Sequence, residues 1–202
     1  MYTLYYLPGA CSRAIHALLH DLGCPVEICD RTQSTGFTDL NATGQVPVLK
    51  DKDLVLREGA AIILYLLDKH GALPGVDDAT GRAAFLQQLM FANATLHPAY
   101  GRLFFIAQAI VEPQAQQQAF TRAAAMIEQL WTIVDARLAS STFTCGPDLS
   151  VVDMMLAVYA EWGGLFPVDI RLGSHVERML AQVRQHPAFQ KAVADEEAQQ
   201  AA

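Results

Sequence analysis

Charge is scarce in this chain. Only 17% of its 202 residues are charged, against about 25% in an average globular domain. Its 14 Lys and Arg form no run, and the formal net charge is −7. A nucleic-acid surface and a polybasic membrane patch are therefore disfavoured. Long apolar runs are missing too. The longest, over residues 60–67, is far short of the roughly 20 residues that span a bilayer. No basic leader precedes Pro8, so a cytoplasmic location is expected. The four cysteines, Cys11, Cys24, Cys29 and Cys145, show neither a CxxC nor a Cys/His zinc spacing, and thiols in a reducing compartment are expected. Apolar residues are plentiful, at 52%. At about 150 residues per domain they suffice for one large core or two small ones. The sparse charge further implies that a partner chain covers some apolar surface.

Periodicity changes near residue 75. Before it, short β-type runs alternate with helical ones. Residues 2–7 are rich in aromatics and leucine and end at Pro8-Gly9, which reads as a strand and turn. Ala14, Ile15, Leu18, Leu19 and Leu22 fall at helical spacing, and Gly23 follows as a cap. A short strand over 25–30 completes a βαβ unit with parallel pairing. A short helix over 37–41 precedes a hairpin, in which residues 46–49 and 54–56 flank a charged turn. Residues 59–70 are helical, and Gly71 closes them. The rest reads as helices over 80–110, 113–139, 150–162, 174–185 and 187–197. Pro113 and Pro187 suit first helical turns. Ser150-Val151-Val152-Asp153 fits a capping box. No internal repeat is present.

The order β-α-β-α-β-β-α followed by an all-helical half resembles a thioredoxin-like domain joined to an all-α helical-bundle domain. Gly44-Gln45-Val46-Pro47-Val48-Leu49, Glu58-Gly59-Ala60-Ala61-Ile62 and the Ser150 capping box resemble, in order and spacing, motifs of the glutathione S-transferase superfamily. Pro8-Gly9-Ala10-Cys11-Ser12 and Leu96-His97-Pro98 are similar to its bacterial, cysteine-bearing beta class. The resemblance covers nearly the whole chain. It implies an N-terminal glutathione-binding domain over 1–73, a linker over 74–81 and a helical domain over 82–202.

The resemblance also implies a site. The Val46–Pro47 bond should be cis, which frees the Val46 backbone to pair with the cysteinyl part of an extended glutathione, as in β-augmentation. Glu58 and the Gly59 N–H, at the positive end of a helix, should hold the γ-glutamyl end. Arg31 is the candidate for the glycyl carboxylate. Cys11 lies where the first strand meets the first helix, and free N–H groups there should lower its pKa. It is expected to face the glutathione sulfur, either hydrogen-bonding it or forming a mixed disulfide. Ser12 is the fallback for stabilising that thiolate. Tyr5 and Tyr6 are read as a sheet-face residue and a core residue. His97, with Asn93 one turn earlier, is expected opposite Cys11, and Pro98 should kink the helix there. Met90 stands where some relatives carry Asn. Tyr100, Leu103, Phe104 and Trp162 are candidates for an electrophile pocket.

The remaining histidines, His16, His20, His70, His175 and His186, are expected at surface or helix-end positions. Only His16 and His20, at i and i+4, have ligand spacing, and no metal is expected. The implied activity is attack of glutathione thiolate on a hydrophobic electrophile. The resemblance further implies glutathione as co-substrate and a homodimer, and no nucleic-acid or membrane partner is expected. Glutathione-dependent reduction of disulfides or peroxides through Cys11 is a second chemistry. A non-catalytic, protein-binding regulator of stringent-starvation type is the alternative from another class.

Overall fold

The computed structural model describes residues 1–201, so Ala202, the last residue of the expected helical domain, lies outside the described residues. Four strands and three helices come first: β1 (Tyr2–Tyr6), α1 (Ser12–Asp21), β2 (Val26–Asp30), α2 (Phe37–Leu40), β3 (Val48–Asp51), β4 (Leu54–Arg57) and α3 (Gly59–Lys69). The sheet order is β2-β1-β3-β4. The β1–β2 pair is parallel, as the α1 crossover requires, and the other two pairs are antiparallel. Tyr2, Leu4 and Tyr6 alternate inward along β1 and are buried. The hairpin turn is tighter than its charged sequence suggests, because β3 runs on to Asp51 and leaves Lys52-Asp53 as the turn. Lys52 takes φ 54° there, the left-handed backbone that two-residue hairpins favour.

Six helices follow: α4 (Ala79–Met90), α5 (His97–Ala109), α6 (Pro113–Leu138), α7 (Val151–Trp162), α8 (Ser174–Gln185) and α9 (Pro187–Gln200). Pro113 and Pro187 open their helices as expected. The single helix expected over 80–110 is instead divided. A π-type segment, Phe91–Leu96, separates α4 from α5, with Pro98 in the first turn of α5. Pro98 has no N–H, and its ring would clash with the carbonyl four residues back. A widened turn absorbs both problems. Among the described residues no helix is long and apolar enough to cross a membrane.

The chain forms two compact units, and their boundaries differ from the division expected at residues 74–81. The first unit comprises residues 1–85 together with the chain from Arg184 onward, and the second comprises residues 86–183. The difference is α9, which packs on α1. Its Ala188, Ala192 and Glu196 recur every four residues and are buried. Small side chains let the two helix backbones approach closely. Between α9 and the β1, β2 and α3 side, α1 is buried over seven residues, from Ser12 and Ala14 to Leu19. His16 is one of them at 1% exposure, a correction to its expected surface position.

The helical unit has its own core. Trp131 and Tyr100 are fully buried, and the Trp131 Nε1–H donates to Tyr100 Oη at 2.8 Å. Asp153 is 0% exposed. It accepts from Ser150 N–H at 2.9 Å and Ser150 Oγ at 2.7 Å. It also accepts from Thr144 N–H at 2.9 Å and Thr144 Oγ1 at 2.7 Å. The capping box is therefore present, and it also ties the loop before α7 to the helix. Replacing Asp153 with Ala leaves buried donors without an acceptor, at about 1–3 kcal/mol each. Urea unfolding of Asp153→Ala should show a loss of at least ~3 kcal/mol.

Candidate functional site

The first unit gathers most of the expected site. Cys11 is the N-cap residue of α1, on a turn held by Ala10 N–H to Leu7 C=O at 3.0 Å and Arg13 N–H to Ala10 C=O at 3.0 Å. The Val46–Pro47 bond is cis, and Pro47 is buried. Val46 lies just before the β3 ladder, which starts at Val48. The Cys11 thiol reaches the Val46 carbonyl at 3.7 Å. The two motifs, 35 residues apart in sequence, thus meet at one point.

The electrostatics of Cys11 reverse the expectation. Burial of the sulfur under its neighbours pushes its pKa up to about 11, although the residue keeps some surface. The backbone amides of Cys11 and Ser12 pull the other way, as a helix N-terminus should, and the Glu58 carboxylate adds to the rise. Desolvation outweighs the dipole here, so the free protein carries a protonated thiol at neutral pH. Ser12 does not join the site. It is fully buried, and its hydroxyl donates to Leu7 C=O at 3.5 Å.

Glu58 and Gly59 stand at the start of α3, with Glu58 as N-cap. Glu58 has φ 70°, a left-handed conformation that costs a non-glycine residue about 1–3 kcal/mol. Its side chain is exposed and caps no backbone N–H of its own helix. An acid held in a strained backbone, with a helix N-terminus beside it, suits an ammonium and carboxylate pair on one ligand. Arg31 sits in a 3-10 turn after β2, and its guanidinium donates to the Gly44 carbonyl. That contact fixes it against the loop that leads to Val46. Tyr6 is a core residue whose hydroxyl donates to Gln199 Oε1 at 3.3 Å, while Tyr5 lies half-buried against Phe37.

Sequence reasoning missed the residues that hold the Cys11 turn in place. Glu196 on α9 is 1% exposed. Its Oε2 accepts from the Gly9 N–H at 3.1 Å and from Arg13 Nε at 3.0 Å. Gly9 has φ +68°, so only glycine presents that N–H without strain. No local pattern links Glu196 to Gly9, because 187 residues separate them.

The helical unit holds an aromatic cluster. The His97 ring meets Tyr159 at 5.1 Å and Trp162 at 5.2 Å between centroids, both edge-on. Phe104 lies edge-on to Trp162 at 5.7 Å and to Phe166 at 4.8 Å. Two of the residues expected in the electrophile pocket behave as core. Tyr100 is 1% exposed and burial pushes its pKa up to about 12, and Leu103 is fully buried. Trp162 is nearly buried, and Phe104 keeps 37% of its surface. Met90 is exposed.

Comparison with known proteins agrees with this geometry. Residues 1–68 match the family model for the glutathione S-transferase N-terminal domain. The chain is 31% identical over 197 residues to glutathione S-transferase GST-4.5 of Xanthomonas campestris pv. campestris, covering 93% of this chain and 97% of that one. A glutathione S-transferase from Xylella fastidiosa superposes with a TM-score of 0.86 at 28% identity, covering 97% and 98% of the two chains. A sphingomonad glutathione S-transferase complexed with glutathione gives 0.83 at 27% identity, covering 96% and 98%. Motif order, sheet topology and similarity over almost the full length agree: this chain belongs to the glutathione S-transferase family.

Proposed function

We propose that this protein is a glutathione transferase that joins the glutathione sulfur to small hydrophobic electrophiles. The sulfur–carbon bond forms as the leaving group, such as a halide, departs with its electron pair. A free thiol with a pKa of about 8.5 is only a few per cent ionised at pH 7. The protein's task is to favour the thiolate and hold it beside an apolar wall.

The observation that carries this reading is the Cys11 thiol 3.7 Å from the Val46 carbonyl. Glutathione laid along the Val46 backbone would bring its cysteinyl sulfur to Cys11. A protonated Cys11 is a hydrogen-bond donor, and a donor stabilises an incoming thiolate where a second thiolate would repel it. Glu58 and Gly59 take the γ-glutamyl end, and Arg31 takes the glycyl carboxylate. His97 is read as favouring the glutathione thiolate, and Phe104 and Trp162 are the helical unit's groups for the electrophile. Met126 and Ile133 on α6 are 50% and 58% exposed, and a second copy of the chain is read as covering such surface in a homodimer. The four cysteines are unpaired in disulfide terms, in keeping with a cytoplasmic, detoxifying role.

Retention on a glutathione resin and turnover of a generic aryl halide test the whole reading, and loss of both would overturn it. Glu58→Ala should raise the glutathione KM by at least ~10-fold, or about 1.4 kcal/mol, with a smaller change in kcat. Cys11→Ala should abolish any disulfide reduction and only reduce conjugation. The Cys11 pKa is checked by alkylation of the free protein, taken as wild type minus Cys11→Ala. The rate should stay low at pH 7 and climb towards the titration near 11. A midpoint below 8 would show a thiolate instead.

A further inference from the structure

We propose that His16, His20 and Asp195 form a binding site for one zinc-type divalent metal ion, with a fourth coordination position open to solvent. None of the three takes part in the glutathione chemistry proposed above. The two histidines share one face of α1, and Asp195 arrives from α9, packed against it. The third ligand is 175 residues from His20 in sequence, so the i, i+4 pair alone could not complete the site.

Geometry carries the assignment. His20 Nε2 lies 3.0 Å from His16 Nε2 and 3.0 Å from Asp195 Oδ2, and His16 Nε2 lies 3.6 Å from Asp195 Oδ2. Tetrahedral zinc with bonds of about 2.0–2.1 Å sets its ligand atoms roughly 3.3 Å apart. A point about 2 Å from all three atoms lies roughly 0.8 Å off their plane, so an ion fits with little movement.

Hydrogen bonding without an ion is less satisfactory. A ring nitrogen offers one in-plane lobe, either an N–H or a lone pair. His20 Nε2 has two partners at 3.0 Å and cannot serve both fully. The Nδ1 of His16 is buried and has no protein hydrogen bond, so the Nε2 cluster holds its only polar contacts.

The site also has an entrance. His20 and Asp195 line a groove of about 790 Å³ that also presents Asp21, Cys24, His186 and Lys191. His16 is buried while His20 and Asp195 keep some surface, which leaves one side for water or an exogenous ligand. Lys191 Nζ lies 3.0 Å from both Asp195 oxygens and is the cation the metal must displace. At 59% exposure it is free to swing into solvent.

The test is zinc titration of the full-length protein against a chromogenic chelator, with cobalt as a spectroscopic probe. Wild type should bind one equivalent, and its cobalt form should show tetrahedral d–d bands. Asp195→Asn and His20→Ala alter part-exposed groups, so folding should persist, as near-UV circular dichroism would check. Each should weaken zinc by more than ~100-fold, beyond the 10–100-fold typical of an outer-shell change. Zinc should raise the melting temperature of wild type and leave Asp195→Asn unmoved. Lys191→Ala should tighten binding. No bound equivalent, equal affinity in Asp195→Asn, or a thiolate-to-cobalt band that Cys24→Ser removes would each overturn the assignment.

Discussion

The buried carboxylate of Glu196 is the constraint on which the first unit depends. An acid at 1% exposure is tolerated only where charge and hydrogen bonds meet it. Arg13 supplies the charge and Gly9 a backbone donor. Such a pair adds little net stability over an apolar substitute, because desolvation offsets the attraction. What it does fix is position. One end of the contact is on α9 and the other on the turn that carries Cys11. The register of α9 on α1 thereby sets the backbone of the turn that carries Cys11.

At Cys11 two general tendencies oppose each other. Helix N-termini favour anionic sulfur, and burial disfavours it. The outcome rests on how much of the sulfur is covered, and burial outweighs the amides of Cys11 and Ser12. The result is a donor thiol in place of a preformed anion. For binding an anionic ligand this suits an acidic chain, because no net attraction is available and local donors must do the work. Glu58 adds to the rise in the Cys11 pKa, and the ammonium of a bound γ-glutamyl group would offset that charge.

Much of the fold was legible because its signals are local. The capping box at Ser150 and Asp153, the proline openings of α6 and α9, and the hairpin after Pro47 each lie within a few residues of chain. The order of elements then carried the family. What stayed hidden was non-local. His16 reads as a helix-surface residue until α9 covers that face, and Asp195 and Glu196 look like solvated acids near the C-terminus. The compact units have other boundaries than the division read from the sequence for the same reason, since nothing local in α9 says what it packs against. Around the candidate site, Cys11, Val46 and Glu58 were singled out by the family resemblance. The burial of Ser12 and Tyr100 was not legible, because an apolar helical stripe does not say which of its members face a cavity.

The first unit is assembled from both ends of the chain. Its β-α-β segment is synthesised well before α9, the helix that packs on α1. Domains ordinarily fold as they emerge, N-terminal first. Here the helical unit, contiguous in sequence, is free to fold while the earlier segment still has α1 uncovered and His16 and Arg13 in water. The turn that carries Cys11 therefore meets its Glu196 partner only once α9 has emerged. Until α9 emerges, Gly9 and Arg13 lack their Glu196 contact, and the interval of uncovered α1 is as long as synthesis of the residues between.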